Sequence, residues 1–303
     1  MSAALTVRAP AKINLNLGVG SIRPDGFHPL ATVYQAIGLY DDVSVAEADE
    51  WSLAVGTHPR IDVSDVPADH TNIAMRAGRA LTSFHGIDRR AAIRIEKGIP
   101  VAAGLAGGSA DGAATLLALD RLWGLQTSDR DLLALAADLG SDVPFALVGG
   151  TALGSGRGEQ VEPLEDNGSW WWVVVESEIG LSTPGVYREF DRLLGDRTAT
   201  EKLMPELRSA LVAGDPRWLA QQLSNDLTAA ALSLRPDLAV ILADGRDCGA
   251  LAGLMSGSGP TCLFLCSDAR HAADVRLAMT ERGYERVTAC AAPVAGAHVV
   301  TYA

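Results

Sequence analysis

A glycine-rich run between a strand-like and a helix-like segment constrains this chain more than any other feature. The run covers residues 100–110, and three of residues 104–108 are glycine. The alternating residues 92–96 before it are typical of a half-buried strand, and the Ala/Leu-rich residues 111–119 after it predict a helix. Glycine lets a backbone approach a ligand closely, and the unpaired N–H groups of a helix N-terminus favour an anion. This order of elements therefore predicts a phosphate-binding loop.

The common nucleotide-binding signatures do not match this chain. A P-loop needs a lysine directly after its last glycine, and no lysine follows Gly108. Two glycines separated by one residue occur at residues 18–20, 154–156 and 257–259, but none of these pairs is followed by the third glycine of the Rossmann pattern G-x-G-x-x-G. The signatures of protein kinases are also missing. We therefore expect phosphate binding by a loop of another kind, and a flexible glycine-rich turn is the alternative.

Composition indicates a globular protein that acts on small molecules. Its 303 residues are 48% hydrophobic and 20% charged, which is ordinary for two soluble domains. A formal charge of −12 argues against nucleic acid as a partner and weakly against an anionic membrane surface. Residues 1–8 lack the pattern of a secretion signal, and no apolar run is long enough to span a membrane. We therefore expect a cytoplasmic protein.

The cysteines are too few and too scattered for a disulfide scaffold, so we expect them to be buried and structural rather than metal ligands. They are Cys248, Cys262, Cys266 and Cys290.

Strand and helix patterns alternate along the chain and predict an α+β two-layer sandwich in each half. The predicted strands cover residues 6–19, 30–38, 42–48, 91–96, 170–177, 250–255 and 261–266, and one more follows Arg286. The predicted helices cover residues 73–84, 111–119, 132–139, 184–194, 201–212, 216–225 and 269–282. A glycine-dense stretch, residues 149–158, predicts the boundary between domains at 1–157 and 158–303.

Two further segments carry groups suited to phosphoryl transfer. In the first strand, period-2 alternation places Lys12, Asn14 and Asn16 on one face, which is either a hydrogen-bonding site or a solvated surface. Asp142 precedes the Val143–Pro144 pair, and because the chain at a residue before proline is usually extended or turning, we expect Asp142 on a loop. A carboxylate near a lysine could accept a hydroxyl proton while staying ionised. An aspartate that caps a turn is the alternative.

Residues 26–29, Gly-Phe-His-Pro, place an aromatic ring beside a histidine in a loop. Such a pair can stack on a flat ring and hydrogen-bond its edge, although many such pairs only pack.

Taken together, these motifs resemble the GHMP kinase superfamily. The resemblance rests on five segments in family order, residues 10–15, 26–28, 100–110, 140–145 and 256–259. Within the superfamily, the first two segments are similar to the kinases of 4-diphosphocytidyl-2-C-methyl-D-erythritol. The resemblance implies an N-terminal domain like domain 2 of ribosomal protein S5, a ferredoxin-like C-terminal domain and an active site between them. It also implies ATP-dependent phosphorylation of the 2-hydroxyl of that cytidine diphosphate derivative, with Mg²⁺, in the non-mevalonate isoprenoid pathway.

The resemblance also assigns roles to residues. Lys12 and Asp142 match the catalytic pair, and Asn14 lies near the acceptor. The ATP-phosphate loop comprises Pro100, Val101, Ala102, Ala103, Gly104, Leu105, Ala106, Gly107, Gly108, Ser109 and Ala110. The cytidine pocket comprises Phe27, His28, Thr183 and Tyr187, and two residues match positions near adenine, Asn72 and Lys97.

The loop departs from the family pattern. Alanine occupies three positions where the family commonly has glycine, Ala102, Ala103 and Ala106, and alanine disfavours a positive φ. The family often has two serines where this chain has Ser109 and Ala110. Because one serine hydroxyl is missing, no Mg²⁺ ligand is assigned. Another small-molecule kinase of the superfamily, acting on homoserine, mevalonate or a sugar, is an alternative, and so is a non-catalytic relative. We expect a monomer or a weak homodimer.

Overall fold

Two β-sheets organise the chain in the computed structural model, which describes residues 4–57, 61–177 and 179–301. The first three residues, part of the N-terminal segment considered above, lie outside these ranges. The strands are β1 (Leu5–Val19), β2 (Leu30–Glu47), β3 (Ser52–Thr57), β4 (Ala91–Lys97), β5 (Thr151–Ser155), β6 (Gln160–Pro163), β7 (Trp170–Val175), β8 (Ser224–Asn225), β9 (Ala252–Met255), β10 (Cys262–Cys266), β11 (Val287–Ala292) and β12 (His298–Val300). The helices are α1 (Ile73–His85), α2 (Gly107–Trp123), α3 (Asp129–Leu139), α4 (Val143–Val148), α5 (Thr183–Leu194), α6 (Leu207–Ala213), α7 (Pro216–Gln222), α8 (Thr228–Leu234), α9 (Asp237–Asp247) and α10 (Ala269–Glu281).

The first sheet is built around β1, which pairs with β2, β12 and β8. The order β12-β1-β2-β4-β3 is extended by β5 on β2 and by β6 on β5. The register of β1 against β2 shifts between Asn14 and Asn16, an irregularity of the kind that re-aims side chains beside active sites. Helices α1 and α2 pack on this sheet with a core that includes Ile13, Leu81 and Leu116.

Local sequence explains where these helices begin and end. Asn72 caps α1 by accepting a hydrogen bond from the N–H of Ala74 at 2.8 Å, and Gly86 ends the helix in the left-handed region. Ser128 caps α3 by accepting from the N–H of Asp131. None of the helices in the described ranges is long and apolar enough to cross a bilayer.

The second sheet has the order β11-β7-β10-β9 and is antiparallel throughout. Trp172 on β7 lies in the core shared with the first sheet, and its Nε1 donates a hydrogen bond to Gln35 Oε1 at 2.9 Å. Val173 and Val175 face the opposite side, where they pack in a second core with Phe264. The continuous apolar run of β7 is therefore buried on both faces, as predicted.

Most predicted elements are confirmed, and the errors have local causes. Residues 30–47 form one strand rather than two, and residues 201–206 precede α6 instead of starting it. The helix predicted over residues 216–225 ends at Gln222, and residues 224–225 form β8. Asp142 lies in a turn, as predicted, but Val143 itself begins α4, because Pro144 occupies the first turn of that helix, where no N–H of its own is required. The helix after the glycine loop begins at Gly107, four residues earlier than predicted.

The domain boundary at residue 157 stays a prediction. The glycine-dense stretch contains β5, which pairs with β2 in the first sheet. Three later strands, β6, β8 and β12, also pair within that sheet. The end of the described chain thus returns to the N-terminal half.

Candidate active site

A cleft of about 880 Å³ brings together the motifs of both halves of the chain. The predicted residues that line it are Lys12, Asn14, Phe27, His28, Asn72, Lys97, Pro100, Val101, Ala102, Ala103, Gly104, Ala106, Gly107, Gly108, Asp142, Thr183 and Tyr187. The three other predicted loop residues, Leu105, Ser109 and Ala110, are not among the lining residues. Leu105 and Ala110 are instead packed in the core, and the Leu105 carbonyl accepts a hydrogen bond from the N–H of Lys12 at 3.1 Å.

Lys12 and Asp142 face each other in this cleft. Lys12 Nζ lies 3.5 Å from Asp142 Oδ2 and donates a hydrogen bond to Asn14 Oδ1 at 2.9 Å. The lysine is buried, and a buried ammonium requires such partners. The polar face of the first strand is therefore a hydrogen-bonding site rather than a solvated surface. Asp142 is the N-cap residue of α4 and makes no capping hydrogen bond, so its carboxylate is available to the cleft.

The two asparagines of β1 have different partners. Asn14 Nδ2 donates to Thr32 Oγ1 at 2.7 Å, which orients the amide so that its oxygen faces Lys12. Asn16 accepts from the N–H of Met204 at 2.9 Å and donates to the carbonyl of Lys202 at 3.1 Å. Asn14 thus belongs to the cleft, whereas Asn16 holds the segment before α6.

The glycine loop adopts a conformation that its alanines disfavour. Ala102 and Ala106 have φ values of 55° and 58°, at a cost of about 1–2 kcal/mol for each non-glycine residue. Gly104, with φ of 75°, is also close to the 256–259 motif, since an added Cβ would lie 2.7 Å from the Ser256 carbonyl. Ser256 Oγ donates to the Gly104 carbonyl at 2.9 Å. The second half of the chain therefore anchors the loop, and α2 begins within the loop at Gly107.

Gly108 offers a clean test of phosphate binding by this loop. A Cβ there would meet nothing within 4 Å, whereas one at Gly107 would lie 3.1 Å from Lys97 Nζ. We expect Gly108→Val to fold normally but to weaken ATP binding, because the side chain would occupy space that the phosphates need. Calorimetry should show lower ATP affinity and near-normal affinity for a cytidine diphosphate ligand. Unchanged ATP affinity would contradict the assignment of the loop.

Lys97 lies beneath the loop in a buried ionic cluster. Its Nζ contacts Asp41 Oδ2 and lies 2.8 Å from Asp111 Oδ2. Burial disfavours its charge, but the Asp111 and Asp41 carboxylates outweigh burial and raise the pKa of Lys97. Asp41 Oδ1 also accepts from the N–H groups of Gly98 and Ile99, at 2.7 and 2.8 Å. Lys97 therefore joins β2 and β4 to the second turn of α2.

Asn72, the other residue matched to the adenine site, uses its side chain within its own segment. It caps α1 and donates through Nδ2 to the carbonyl of Pro67 at 2.7 Å. Its role near adenine stays a prediction, as does that of Lys97.

Aromatic side chains form a further part of the cleft wall, which we call the aromatic pocket. Phe27 is 49% exposed, and the guanidinium carbon of Arg157 lies 5.1 Å from the centre of its ring. His28 is buried, with Nδ1 2.8 Å from the Gly20 carbonyl and its ring centre 5.0 Å from that of Tyr187. Burial, with a smaller contribution from Asp142, raises the pKa of Tyr187 to about 12. The pocket therefore combines a half-exposed aromatic ring with a tyrosine that stays neutral, beside the charged side chains of Arg157 and Asp191, which suits the stacking and hydrogen bonding of a nucleobase.

Family models match both halves of the chain. The model described as GHMP kinases N terminal domain matches residues 72–150, and the one described as GHMP kinases C terminal matches residues 207–285. The chain belongs to the GHMP kinase family. The α+β fold inferred from the motifs of this GHMP kinase is thereby confirmed.

Individual relatives indicate which kinases of the family this chain resembles. A Nocardioides sp. protein named 4-diphosphocytidyl-2-C-methyl-D-erythritol kinase is 57% identical, over 98% of this GHMP kinase and 100% of its own length. A Streptomyces avermitilis protein with the same name is 50% identical, with the same coverage. A crystal structure of 4-(cytidine 5′-diphospho)-2C-methyl-D-erythritol kinase is 32% identical, with a TM-score of 0.77 over 95% of this chain and 99% of that one. Homoserine kinase from Cytophaga hutchinsonii shares the fold. It is 18% identical, with a TM-score of 0.74 over 99% of this chain and 98% of that one.

Sequence reasoning did not single out several residues that the fold brings to the cleft of this GHMP kinase. They are Tyr34, Asp111, Arg157 and Asp191, together with Asp41 beneath the loop. Asp111 begins the helical pattern after the glycine loop, which is the one sequence signal that could have indicated it. Tyr34 and Asp191 lie in ordinary strand and helix patterns, Asp41 lies between two predicted strands, and Arg157 lies in the glycine-dense stretch. Only their neighbours in space distinguish these residues.

Proposed function

We infer that this GHMP kinase transfers the γ-phosphoryl group of ATP to the 2-hydroxyl of 4-diphosphocytidyl-2-C-methyl-D-erythritol. The observation that carries this inference is 57% identity, over nearly the full length of both chains, to a relative with that kinase name. Contacts within the cleft support it. A Cβ at Gly257 would lie 3.6 Å from Lys12 Nζ and 3.9 Å from the carbonyl of Gly104 in the glycine loop, and the charge of Asp142 contributes to the raised pKa of Tyr187 in the aromatic pocket. The candidate catalytic pair therefore has neighbours in both the loop proposed for ATP and the pocket proposed for the cytidine diphosphate derivative.

Phosphoryl transfer depends mainly on positioning and on neutralising charge. In the proposed reaction, the substrate hydroxyl oxygen forms a bond to the γ-phosphorus while the bond from that phosphorus to the bridging oxygen of ADP breaks. The hydroxyl proton goes to the Asp142 carboxylate. Lys12, 3.5 Å from Asp142, is placed to stabilise the negative charge of the transferred group. The N–H groups at the start of α2 would hold the ATP phosphates.

The cleft fits Mg²⁺ that arrives with ATP. In the described residues, no group of three His, Cys, Asp or Glu side chains is placed to hold a metal by itself. Magnesium in kinases commonly uses substrate phosphates with one or two carboxylates. Asp111 Oδ1 is buried in the cleft wall without a hydrogen-bond partner, so Asp111 is the residue that we propose to hold the ion. When bound, Mg²⁺ would neutralise charge on the phosphates.

The proposed function is tested by measuring ADP release with three acceptors. We expect turnover with 4-diphosphocytidyl-2-C-methyl-D-erythritol and none above background with homoserine or mevalonate. The isolated product should carry its new phosphate on the 2-hydroxyl. Turnover with homoserine or mevalonate instead would favour another kinase of the family, and ATP-independent binding without turnover would favour a non-catalytic relative.

Phe27 should control affinity for the cytidyl substrate. Its half-exposed ring is placed for stacking, which is worth about 1–3 kcal/mol per base. We expect Phe27→Ala to raise the KM of the cytidyl substrate by roughly 5- to 150-fold and to leave the KM of ATP nearly unchanged. Phe27→Tyr should retain most of the affinity, because stacking needs only an aromatic face.

Phe84 provides a matched control for this substitution. It is 50% exposed, against 49% for Phe27, and it does not line the cleft. Phe84→Ala should therefore leave both KM values unchanged. If Phe27→Ala also leaves the cytidyl KM unchanged, or weakens both substrates equally, Phe27 is a packing residue.

A further inference from the structure

Arg157 lines the cleft, although none of the motifs assigns it a role. It lies in the turn between β5 and β6, flanked by Gly156 and Gly158, whose φ values of 72° and 104° are in the region that favours glycine. The N–H of Leu30 donates to the Gly156 carbonyl at 2.9 Å, which joins the turn to the start of β2. The first sheet therefore holds Arg157 in place at the edge of the cleft.

This turn has neighbours in the aromatic pocket and beside the candidate catalytic pair. The guanidinium carbon of Arg157 lies 5.1 Å from the centre of the Phe27 ring. On the other side, a Cβ at Gly158 would collide with the hydroxyl of Tyr34, and the centre of the Tyr34 ring lies 5.4 Å from Lys12 Nζ. A substrate that reaches from Phe27 to Lys12 would therefore pass close to the turn.

The guanidinium of Arg157 has donors to offer a ligand. Its ion pair with Glu159, from Nε to Oε2, measures 3.8 Å, which is too long for a hydrogen bond. Glu159 Oε2 instead accepts from the N–H of Arg157 at 2.6 Å. Within the described ranges, no hydrogen bond is made by the guanidinium, and the side chain is 37% exposed. Its charge and its N–H donors are therefore available in the cleft.

The other cations of the cleft wall are less suited to the same ligand. Lys12 and Lys97 already contact carboxylates, those of Asp142 and of the buried ionic cluster. Arg188 is exposed, and its Nη2 would lie 3.9 Å from a Cβ at Gly185, in the first turn of α5. No contact among the described residues joins Arg188 to the ring proposed for base stacking, whereas Arg157 lies against that ring.

We propose that Arg157 binds the diphosphate group of the cytidyl substrate and thereby selects a cytidine diphosphate derivative over an uncharged cytidine compound. The proposal rests on the proposed function, because that substrate carries a diphosphate between its base and the group that accepts the phosphoryl. With the base on Phe27 and the acceptor hydroxyl beside Lys12, the diphosphate would lie next to the turn. A guanidinium is well suited to this role, since its planar fork pairs with two phosphate oxygens at once.

Arg157→Gln tests the proposal because it removes the charge and the fork but keeps a polar side chain. Calorimetry would compare cytidine diphosphate with cytidine, in the presence of a non-hydrolysable ATP analogue that fills the ATP site. We expect the Kd of cytidine diphosphate to rise by about 10-fold, as for loss of a hydrogen bond to a charged group, and that of cytidine to stay within about twofold. The KM of the cytidyl substrate should rise similarly, and kcat should change much less. Arg157→Lys should restore part of the affinity.

Arg89 provides the matched control. Its guanidinium carbon also lies over an aromatic ring, 6.0 Å from the centre of Trp123, and it pairs with Glu47 at 3.0 Å, but it does not line the cleft. Arg89→Gln should leave the Kd of both ligands unchanged.

Three results would overturn the proposal: an unchanged Kd for cytidine diphosphate in Arg157→Gln, equal losses for cytidine diphosphate and cytidine, or a selective loss in Arg188→Gln alone. Equal losses would mean that Arg157 only supports the ring of Phe27. Failure of the proposed function gives a different result, in which the unmodified chain binds cytidine diphosphate through Arg157 but does not phosphorylate the cytidyl substrate.

Discussion

Replacing Asp142 with asparagine should lower kcat by about 100-fold or more while the chain stays folded. Asparagine has the shape of aspartate but no basicity, so the hydroxyl proton would lose its acceptor. The substitution should be well tolerated structurally, because Asp142 is half-buried and makes no capping hydrogen bond that asparagine would lose. Steady-state kinetics with the cytidyl substrate, together with thermal unfolding of the same preparation, measure both effects.

Asp215 is the matched control for this substitution. It also occupies an N-cap position, that of α7, but it lies away from the cleft, and asparagine caps helices about as well as aspartate. Asp215→Asn should therefore leave kcat and stability near their normal values. A folded Asp142→Asn variant with near-normal kcat would eliminate Asp142 as the proton acceptor.

Lys12→Met should have the second large effect, a loss of kcat of about 100- to 1000-fold, which is typical when one preorganised stabilising donor is removed. Methionine retains the apolar stem, so packing in β1 should survive. The lost ammonium leaves Asn14 Oδ1 without its donor and the half-buried Asp142 without its cationic partner. We therefore expect turnover to fall much more than the thermal unfolding temperature.

Lys202 serves as the control for this charge change, because its side chain is exposed and does not line the cleft. Lys202→Met should have normal turnover. If Lys12→Met is less stable but has normal turnover per folded molecule, Lys12 stabilises the strand and does not act on the transferred phosphate.

Sequence patterns predicted strands, loops and helices correctly where neighbouring residues alone determine the structure. The alternation in residues 92–96 and the glycines that follow predicted the strand, loop and helix around the candidate phosphate site. The continuous apolar run of β7 predicted burial on both faces. Asp142 lies in a turn as predicted, although Val143 is already helical, because the first turn of a helix tolerates proline and here outweighs the usual effect of proline on the preceding residue.

The sequence by itself determined the family, the motifs and the candidate catalytic pair, because each motif is a short run whose residue types carry its chemistry. Only the tertiary structure decided which further groups surround that pair. Tyr34 and Phe145 are 111 positions apart in the chain, and Asp41 and Lys97 are 56 apart, yet each pair is in contact. Strand register and helix packing create these contacts, and burial then sets which groups stay neutral or ionised. Since register and burial depend on the whole core, no local pattern could have indicated them.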